Sequence, residues 1–188
     1  MCIIGFLQLT TKKKNENYTQ IIFMNFRKKE HANLYNILLT LSRNLFFYKD
    51  INLQDVFETR IYLMFMHFSI LLKIYKKRNK KFDQQTYDFF FHNIEYNLRE
   101  LGFGDVSVNK KMKDLNKIFY DILLKIDANK SSQVFKINYS LAIKYFNEFD
   151  DKNHRIYEKF EDYFSKFYNF CFELPLDNML RDAINFKY

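Results

Sequence analysis

The sequence predicts an all-α fold, a single-domain bundle of six to seven helices with a long, buried central helix. Three observations lead to this prediction. Apolar residues recur at helical spacing along most of the chain, and no segment keeps the alternation of a half-buried strand. The 188 residues include only three Gly and one Pro, which leaves little for tight β-turns. Hydrophobic residues make up 48% of the chain, which is enough for a substantial core.

The beginning of the chain is weakly patterned and carries three consecutive lysines, Lys12 to Lys14. A clearer pattern starts at Met24 with "MNFRKKEHANLY". We therefore expect residues 1–23 to form a poorly ordered N-terminal extension and residues 24–188 to form the helical domain, with Met24 as the natural start. The opening "MCIIGFLQL" has no basic segment and no small-residue cleavage site, so no signal peptide is predicted.

Two helices are predicted before residue 80. The first is indicated by leucines at helical spacing: Leu34, Leu38, Leu41 and Leu45. The segment "FYKDIN" interrupts it, and Asp55 with Glu58 is typical of a capping box that opens the second helix. This helix contains the longest apolar run, Ile61 to Leu72, which is shorter than the ~20 residues of a membrane span. Because apolar residues occupy several of its faces, we expect it to be the buried central helix.

The next two predicted helices each show one buried stripe. In the third helix the stripe is Tyr87, Phe91, Ile94, Leu98 and Leu101. In the fourth helix it is Val108, Met112, Leu115, Phe119, Ile122 and Ile126. The segment "DANKSS" then predicts a loop, and Ser131 or Ser132 is the candidate N-cap of a fifth helix. That helix is expected to turn three residues inward: Ile137, Leu141 and Tyr145.

The last part of the chain predicts a second loop, "NEFDDKNH", and a sixth helix rich in aromatic residues. Its inward residues are predicted to be Ile156, Phe160, Phe164, Phe167 and Cys171. Pro175 is expected to end this helix, because proline interrupts helical hydrogen bonding. Asp177 is a candidate start for a short final helix.

The sequence contains no pattern of catalytic or metal-binding residues. The two cysteines, Cys2 and Cys171, are far apart, and neither lies at metal-ligand spacing from another Cys or His; this fits a reducing, cytosolic setting. His92 and Glu95 occur in the order His-x-x-Glu, and no second such motif completes a di-iron site. Motifs of zinc proteases, phosphate-binding loops and serine hydrolases are absent. We predict a protein that is not an enzyme and has no metal, cofactor or small-molecule substrate.

The chain is basic, with 30 Lys and Arg against 22 Asp and Glu and a formal net charge of +8. This balance is compatible with nucleic acid, a ribosome or an anionic membrane surface as partner. AT-rich codon usage explains it equally well, because lysine is abundant here together with Phe, Tyr, Ile and Asn. The basic run from Lys73 to Lys81 fits either a helix C-terminus or a contact surface. A basic helical module that binds nucleic acid or the ribosome is therefore the alternative function, although the aromatic residues follow the buried stripes and form no stacking platform.

The stretch "LRELGFGDVSVNKKMK", residues 98–113, contains two of the three glycines at the joint between the third and fourth helices. Gly102 is placed to end the third helix in the left-handed conformation, and Gly104 offers a second permissive position. Asp105 or Ser107 is placed to accept hydrogen bonds from the first amides of the fourth helix. The surrounding charges exceed what two helix ends require: Arg99, Glu100, Lys110, Lys111 and Lys113. A solvated corner and a recognition surface both fit this pattern.

The same stretch carries a resemblance to a known family. "NLRELGFGDVSVNKKMKDLNKIFYDILL" resembles the signature of the ubiquinol–cytochrome c chaperone family, which has a similar "LREMGVGDLSVGKKMK". "LYNILLTLSRNLFFY" and "FETRIYLMFMHFSILLKI" resemble the first two helices of that family, so the resemblance covers about residues 24–146. Asn109 replaces a Gly that is common in the family, and the family's Pro after "FY" is absent. Beyond Phe146 no resemblance is recognised.

The resemblance implies an all-helical, non-enzymatic assembly chaperone for the cytochrome bc1 complex. Its expected partner is newly made or apo cytochrome b, met at the ribosome exit region and the inner-membrane surface. Because no Arg-rich presequence is visible, we expect a bacterial protein that is cytoplasmic and peripheral to the inner membrane. The residues expected to bind the partner are Arg99, Gly102, Gly104, Asp105, Lys110, Lys111 and Lys113.

A structural polar network is also predicted from Arg43, Arg60, His67 and Glu100. The first three match the first two helices of the family. Arg60 and His67 are seven residues apart and therefore lie two turns along one stripe of the central helix. Because a buried arginine needs an acidic partner, Arg60 is expected to be buried against Glu100 or Asp105.

Overall fold

Helices make up most of the chain in the computed structural model, which describes residues 34–128, 135–149 and 154–188. In chain order they are α1 (34–42), α2 (Leu45–Lys49), α3 (Phe57–Lys77), α4 (Gln84–Glu100), α5 (Asp105–Lys125), α6 (Tyr139–Tyr145), α7 (His154–Glu173) and α8 (Leu176–Asp182), with a 3₁₀ turn at Ala183–Asn185. This confirms the predicted all-α, single-domain class. The predictions for residues 1–23, Met24, Ser131 and Ser132 lie outside the described residues, and the N-terminal extension stays a prediction.

The central helix α3 lies in the core, where it packs mainly against α5 and α7. Within its apolar run from Ile61 to Leu72, every residue except Tyr62 and Leu72 is buried. The expectation of a buried core helix is thus confirmed. Among the helices that the structure describes, none combines the length and hydrophobicity needed to cross a membrane.

The first predicted helix is divided in two. α1 ends at residue 42, and the side chain of Asn44 accepts a hydrogen bond of 3.0 Å from the Phe46 amide, which caps α2. Leu45 was predicted to continue the buried leucine stripe, but it is 62% exposed. Because α2 is a separate helix that starts at this cap, a different face of the chain points to the core, and its buried residues are Phe46 and Phe47.

The predicted capping box at the start of α3 is wrong. Val56 is the N-cap residue and makes no side-chain capping bond. The Asp55 carboxylate instead accepts two hydrogen bonds from Arg60, at 2.6 and 2.7 Å. A bidentate bond to a guanidinium is stronger than a bond to one backbone amide, which explains why Asp55 pairs with Arg60 instead of capping α3.

The segment after α5 differs from the predicted loop by a short antiparallel pair, Asp127–Ala128 with Phe135–Lys136. α6 begins only at Tyr139, and its N-cap is Asn138, whose side chain accepts from the Ser140 amide at 3.0 Å. The predicted caps, Ser131 and Ser132, lie outside the described residues, and the cap of the described helix α6 is Asn138. The strand pairing keeps the backbone extended up to this point, so the helix starts later.

α6 is fastened to α5 by the Asp121 carboxylate. It accepts hydrogen bonds from Lys144 Nζ at 2.7 Å and from the Tyr145 hydroxyl at 2.5 Å, and Lys125 Nζ lies 2.9 Å away. Although burial alone raises the pKa of Asp121, these donors hold it well below its ordinary value.

α7 closes the core with a continuous aromatic face. Its buried residues are Tyr157, Phe160, Tyr163, Phe164, Phe167, Tyr168 and Cys171. The predicted inward residues are confirmed except for Ile156, which is only partly buried. Pro175 separates α7 from α8 as predicted.

Candidate interaction corner between α4 and α5

The end of α4 is shaped by Gly102, as the sequence predicted. Gly102 has φ of +88°, in the left-handed region where a side chain is unfavourable. Its amide donates to the Arg99 carbonyl at 2.9 Å, and the Phe103 amide donates to the Leu98 carbonyl at 3.3 Å. This pair of bonds is the common glycine C-cap of helices, and it reverses the chain toward α5.

Gly104 has a different role from the one predicted. It is the N-cap residue of α5, with φ of −71° and ψ of 162°, which any residue can adopt. Neither Asp105 nor Ser107 caps the helix, because α5 has no side-chain capping bond. The Asp105 carboxylate instead pairs with Arg99 across the corner.

Arg99 links α4 to α5 at the corner. Its guanidinium donates to Asp105 at the first position of α5 and to Glu95 one turn earlier on α4, the latter at 2.8 Å. Two carboxylates therefore compensate its charge. The prediction placed Arg99 on the charged rim, but its geometry assigns it to holding the two helices together.

The three lysines of α5 that were predicted to bind a partner differ in exposure. Lys110 and Lys113 are exposed and share one face of α5 with Val106, since these residues are four and three apart. Lys111 is partly buried, and its Nζ lies 4.5 Å from the centre of the Phe103 ring, a cation–π contact. Two of the three predicted lysines thus point freely to solvent.

Sequence reasoning missed the apolar component of the corner. Leu101 is 58%, Phe103 37% and Val106 86% exposed. Leu101 was placed on the buried stripe, but the stripe ends at Leu98, because the turn begins at Leu101. Val106 could have been recognised, since it lies two residues before the buried Val108 and thus on another face of α5.

The predicted polar network does not form as one unit. Arg60 lies on α3 with its side chain 34% exposed, and it pairs with Asp55 instead of Glu100 or Asp105. The hydrogen bond from Arg60 holds the pKa of Asp55 below its ordinary value. Because Asp55 is 54% exposed, we expect this pair to contribute only about 0.2–1 kcal/mol to stability.

His67 is fully buried, as expected for a core histidine, but its partner is on α7. Its Nδ1 lies 2.7 Å from the Leu63 carbonyl oxygen and its Nε2 lies 3.1 Å from the Tyr163 hydroxyl. A neutral ring satisfies both contacts, with Nδ1–H donating to Leu63 and Nε2 accepting from Tyr163. The rings packed around it include Phe47, Phe164 and Phe167.

Arg43 and Glu100 are both exposed. Both act electrostatically on Tyr35, whose pKa is raised chiefly by burial, lowered by Arg43 and raised by Glu100. The Tyr35 hydroxyl accepts a hydrogen bond of 2.6 Å from the Asn97 side chain. These contacts join α1 to α4 without involving His67 or Arg60.

The basic run Lys73 to Lys81, which covers the last turn of α3 and the residues after it, is partly structural. Arg78 donates to the carbonyl oxygens of Leu174, at 2.9 Å, and Phe172 at the end of α7. Lys77 Nζ donates to the Tyr168 hydroxyl at 3.2 Å. A cation at a helix C-terminus satisfies free carbonyls and the helix dipole. Other lysines of the run are exposed: Lys76, Lys80 and Lys81.

A surface groove of about 800 Å³ runs between α4 and α5. Its lining includes His92, Glu95, Met112, Asn116 and Tyr120. Among the residues that the structure describes, no three His, Cys, Asp or Glu side chains are grouped to hold a metal ion. The groove therefore offers polar and aromatic contacts, without a recognisable set of catalytic groups.

Comparisons with known proteins identify a similar fold and a family. None of the curated proteins compared with the chain matches it significantly. The crystal structure of the Cbp3 homolog from Brucella abortus is similar, with a TM-score of 0.59 and 21% identity over 97% of this chain and 96% of that one. This likeness shows the fold alone. The family model for the ubiquinol-cytochrome C chaperone matches residues 49–142, half of the chain, including the whole corner. The chain therefore belongs to the ubiquinol-cytochrome C chaperone family.

Proposed function

We propose that this protein is an assembly chaperone for the cytochrome bc1 complex, that it binds newly made cytochrome b, and that it acts without catalysis. The observation that carries the proposal is the family match over residues 49–142, which contains α3, α4, α5 and the corner between them. The similarity of fold to the Cbp3 homolog supports it.

We further propose that the corner between α4 and α5 is the surface that binds the partner. The proposed residues are Arg99, Gly102, Gly104, Asp105, Lys110, Lys111 and Lys113. Gly102 and the Arg99–Asp105 pair shape the corner, whereas Lys110 and Lys113 present charge to a partner. Exposed apolar side chains lie beside them: Leu101, Phe103 and Val106. Clustered exposed apolar groups mark interaction sites, which supports a binding role for the corner.

The proposed place of action is the cytoplasmic surface of a bacterial inner membrane, close to where cytochrome b leaves the ribosome. Cytochrome b is a membrane protein, so a chaperone that receives it early has to work at the bilayer surface. The net charge of +8 supports approach to an anionic membrane or to ribosomal RNA.

The test is a crosslinking pull-down from respiring cells. A photoreactive group at position 113 is expected to recover apocytochrome b, and the same group at position 159, an exposed lysine of α7, serves as the control. Recovery of cytochrome b at neither position, with RNA recovered instead, would replace the proposal by the alternative of a nucleic-acid or ribosome-binding module.

A matched pair of charge variants tests the corner. Lys110→Glu with Lys113→Glu is expected to impair recovery of the bc1 complex in cells without the native protein. Lys80→Glu with Lys81→Glu changes the net charge equally at the opposite end of α4 and is expected to restore assembly. Because all four lysines are exposed, the helical signal and melting temperature should stay near the wild type in both variants. Full assembly with the corner variant would remove the corner from the proposed function.

A further inference from the structure

The corner ends in a projecting apolar tip. Leu101, Phe103 and Val106 lie within six residues, and all three side chains are exposed. The backbone at this turn is uncrowded: a Cβ added at Gly102 or Gly104 would have no neighbouring atom within 4 Å. The three apolar side chains therefore lie beside an uncrowded turn of the backbone, where a partner can reach them.

Two basic side chains lie at defined distances from the tip along the axis of α5. Val106, Lys110 and Lys113 share one face of α5, and at a rise of 1.5 Å per residue the two lysines lie about 6 and 10 Å behind Val106. In an interfacial membrane contact, apolar groups reach about 5–10 Å into the boundary while lysines extend to the headgroups. The order of residues along the axis of α5 matches this layering.

Acidic groups at the corner limit how deeply it can enter. Asp105 and Glu95 are both paired with Arg99, whose single positive charge offsets one of their two negative charges. Glu100 is exposed in the last turn of α4. An ionised carboxylate is unfavourable within hydrocarbon, so only a shallow contact is compatible with Glu100 at this position.

We propose that the tip formed by Leu101, Phe103 and Val106 inserts shallowly into a bilayer that contains anionic lipid, with Lys110 and Lys113 at the level of the phosphates. The proposal rests on the proposed function, which places the protein at the membrane surface. It adds that the corner binds lipid directly. A second copy of this chain is disfavoured as occupant, because a symmetric contact through this face would bring the lysines of both copies together.

Insertion can be measured directly, because the chain contains no tryptophan. Val106→Trp places a single reporter at the tip, and Leu124→Trp places the matched control at a 78% exposed position about 27 Å away on α5. With vesicles of phosphatidylcholine and phosphatidylglycerol, we expect a blue shift and quenching by brominated acyl chains for Val106→Trp alone. Unchanged emission of Val106→Trp would overturn the proposal, and so would equal quenching of both reporters.

The charge requirement has its own matched variants. Lys110→Gln with Lys113→Gln should weaken partition into anionic vesicles by about fivefold per lysine, which corresponds to about 1 kcal/mol each. Lys80→Gln with Lys81→Gln should change it less than twofold, and Glu100→Gln should strengthen it. Equal losses in the two lysine pairs would show binding by overall charge and would contradict an oriented tip. Circular dichroism on each variant confirms that the helices are retained.

Vesicle binding and client binding can fail separately. If the tip binds vesicles while no cytochrome b is crosslinked, the lipid proposal is supported and the proposed function fails. If cytochrome b is crosslinked at the corner while the vesicles of phosphatidylcholine and phosphatidylglycerol are not bound, the ligand of the corner is protein and the lipid proposal is overturned.

Discussion

The buried His67 predicts a loss of stability in mildly acidic solution. Its ring lies in an aromatic environment where α3 packs against α7, and the neutral ring satisfies both nitrogens. Burial lowers the pKa of His67 to about 4 from an ordinary value of 6.5, and the hydrogen bond to the Leu63 carbonyl opposes this only in part.

The size of the effect follows from the difference in pKa between the unfolded and folded chain. The difference is about 2.5 units, which at 1.36 kcal/mol per unit amounts to about 3 kcal/mol. Below pH 6.5 the unfolded chain binds a proton at His67 that the folded chain does not bind. The contribution is therefore complete above about pH 6.5 and is lost as the pH falls toward about 4.

Other perturbed groups act in a different range. Asp55, Asp121 and Asp162 all have pKa values below the ordinary 3.8, so their stabilising contributions are lost mainly at lower pH. The interval between about pH 6.5 and pH 4 therefore reports chiefly on His67. A loss of about 3 kcal/mol is large for a domain whose total stability is of order 5–15 kcal/mol.

The assay is urea unfolding at a series of pH values for the wild type and two variants. His67→Gln removes the titrating ring and is expected to flatten the dependence between pH 6.5 and 4, whatever its stability at neutral pH. The control His92→Gln replaces a histidine at the surface and should retain the wild-type slope. If the wild type and His67→Gln show the same slope, the reasoning about the buried ring is refuted.

Three further predictions concern stability and can be measured by urea unfolding at neutral pH. Gly102→Ala should cost about 1–2 kcal/mol because of its positive φ, whereas Gly104→Ala, equally free of neighbours, should stay within about 0.5 kcal/mol. Equal effects at the two glycines would contradict a backbone cause. Ser69→Ala should stabilise the protein by about 1 kcal/mol, since the buried Ser69 hydroxyl makes no hydrogen bond in the described part of the chain; a loss would reveal a partner for that hydroxyl. Arg78→Gln should cost about 2 kcal/mol through the lost contacts to the end of α7, and an unchanged stability would show that water replaces them.

The sequence by itself was sufficient for features that depend on neighbouring residues. Helical spacing identified the main helices and the buried α3, and glycine chemistry identified the left-handed turn at Gly102. The resemblance at residues 98–113 identified the family that the comparisons then showed. In each case the signal is local, because helix periodicity and C-capping involve residues within a few positions of one another.

Tertiary structure decided the partners of side chains and the exposure of residues at element ends. His67 contacts Tyr163, which is 96 residues away, and Arg78 reaches the end of α7. Periodicity cannot show which distant helix faces a given stripe, because this depends on how all the elements pack together. Leu101 was assigned by its spacing to the buried stripe of α4, whereas the apolar Val106 lies off the stripe of α5. They are exposed because the chain turns at Gly102, and only the path of the backbone places them at a projecting tip.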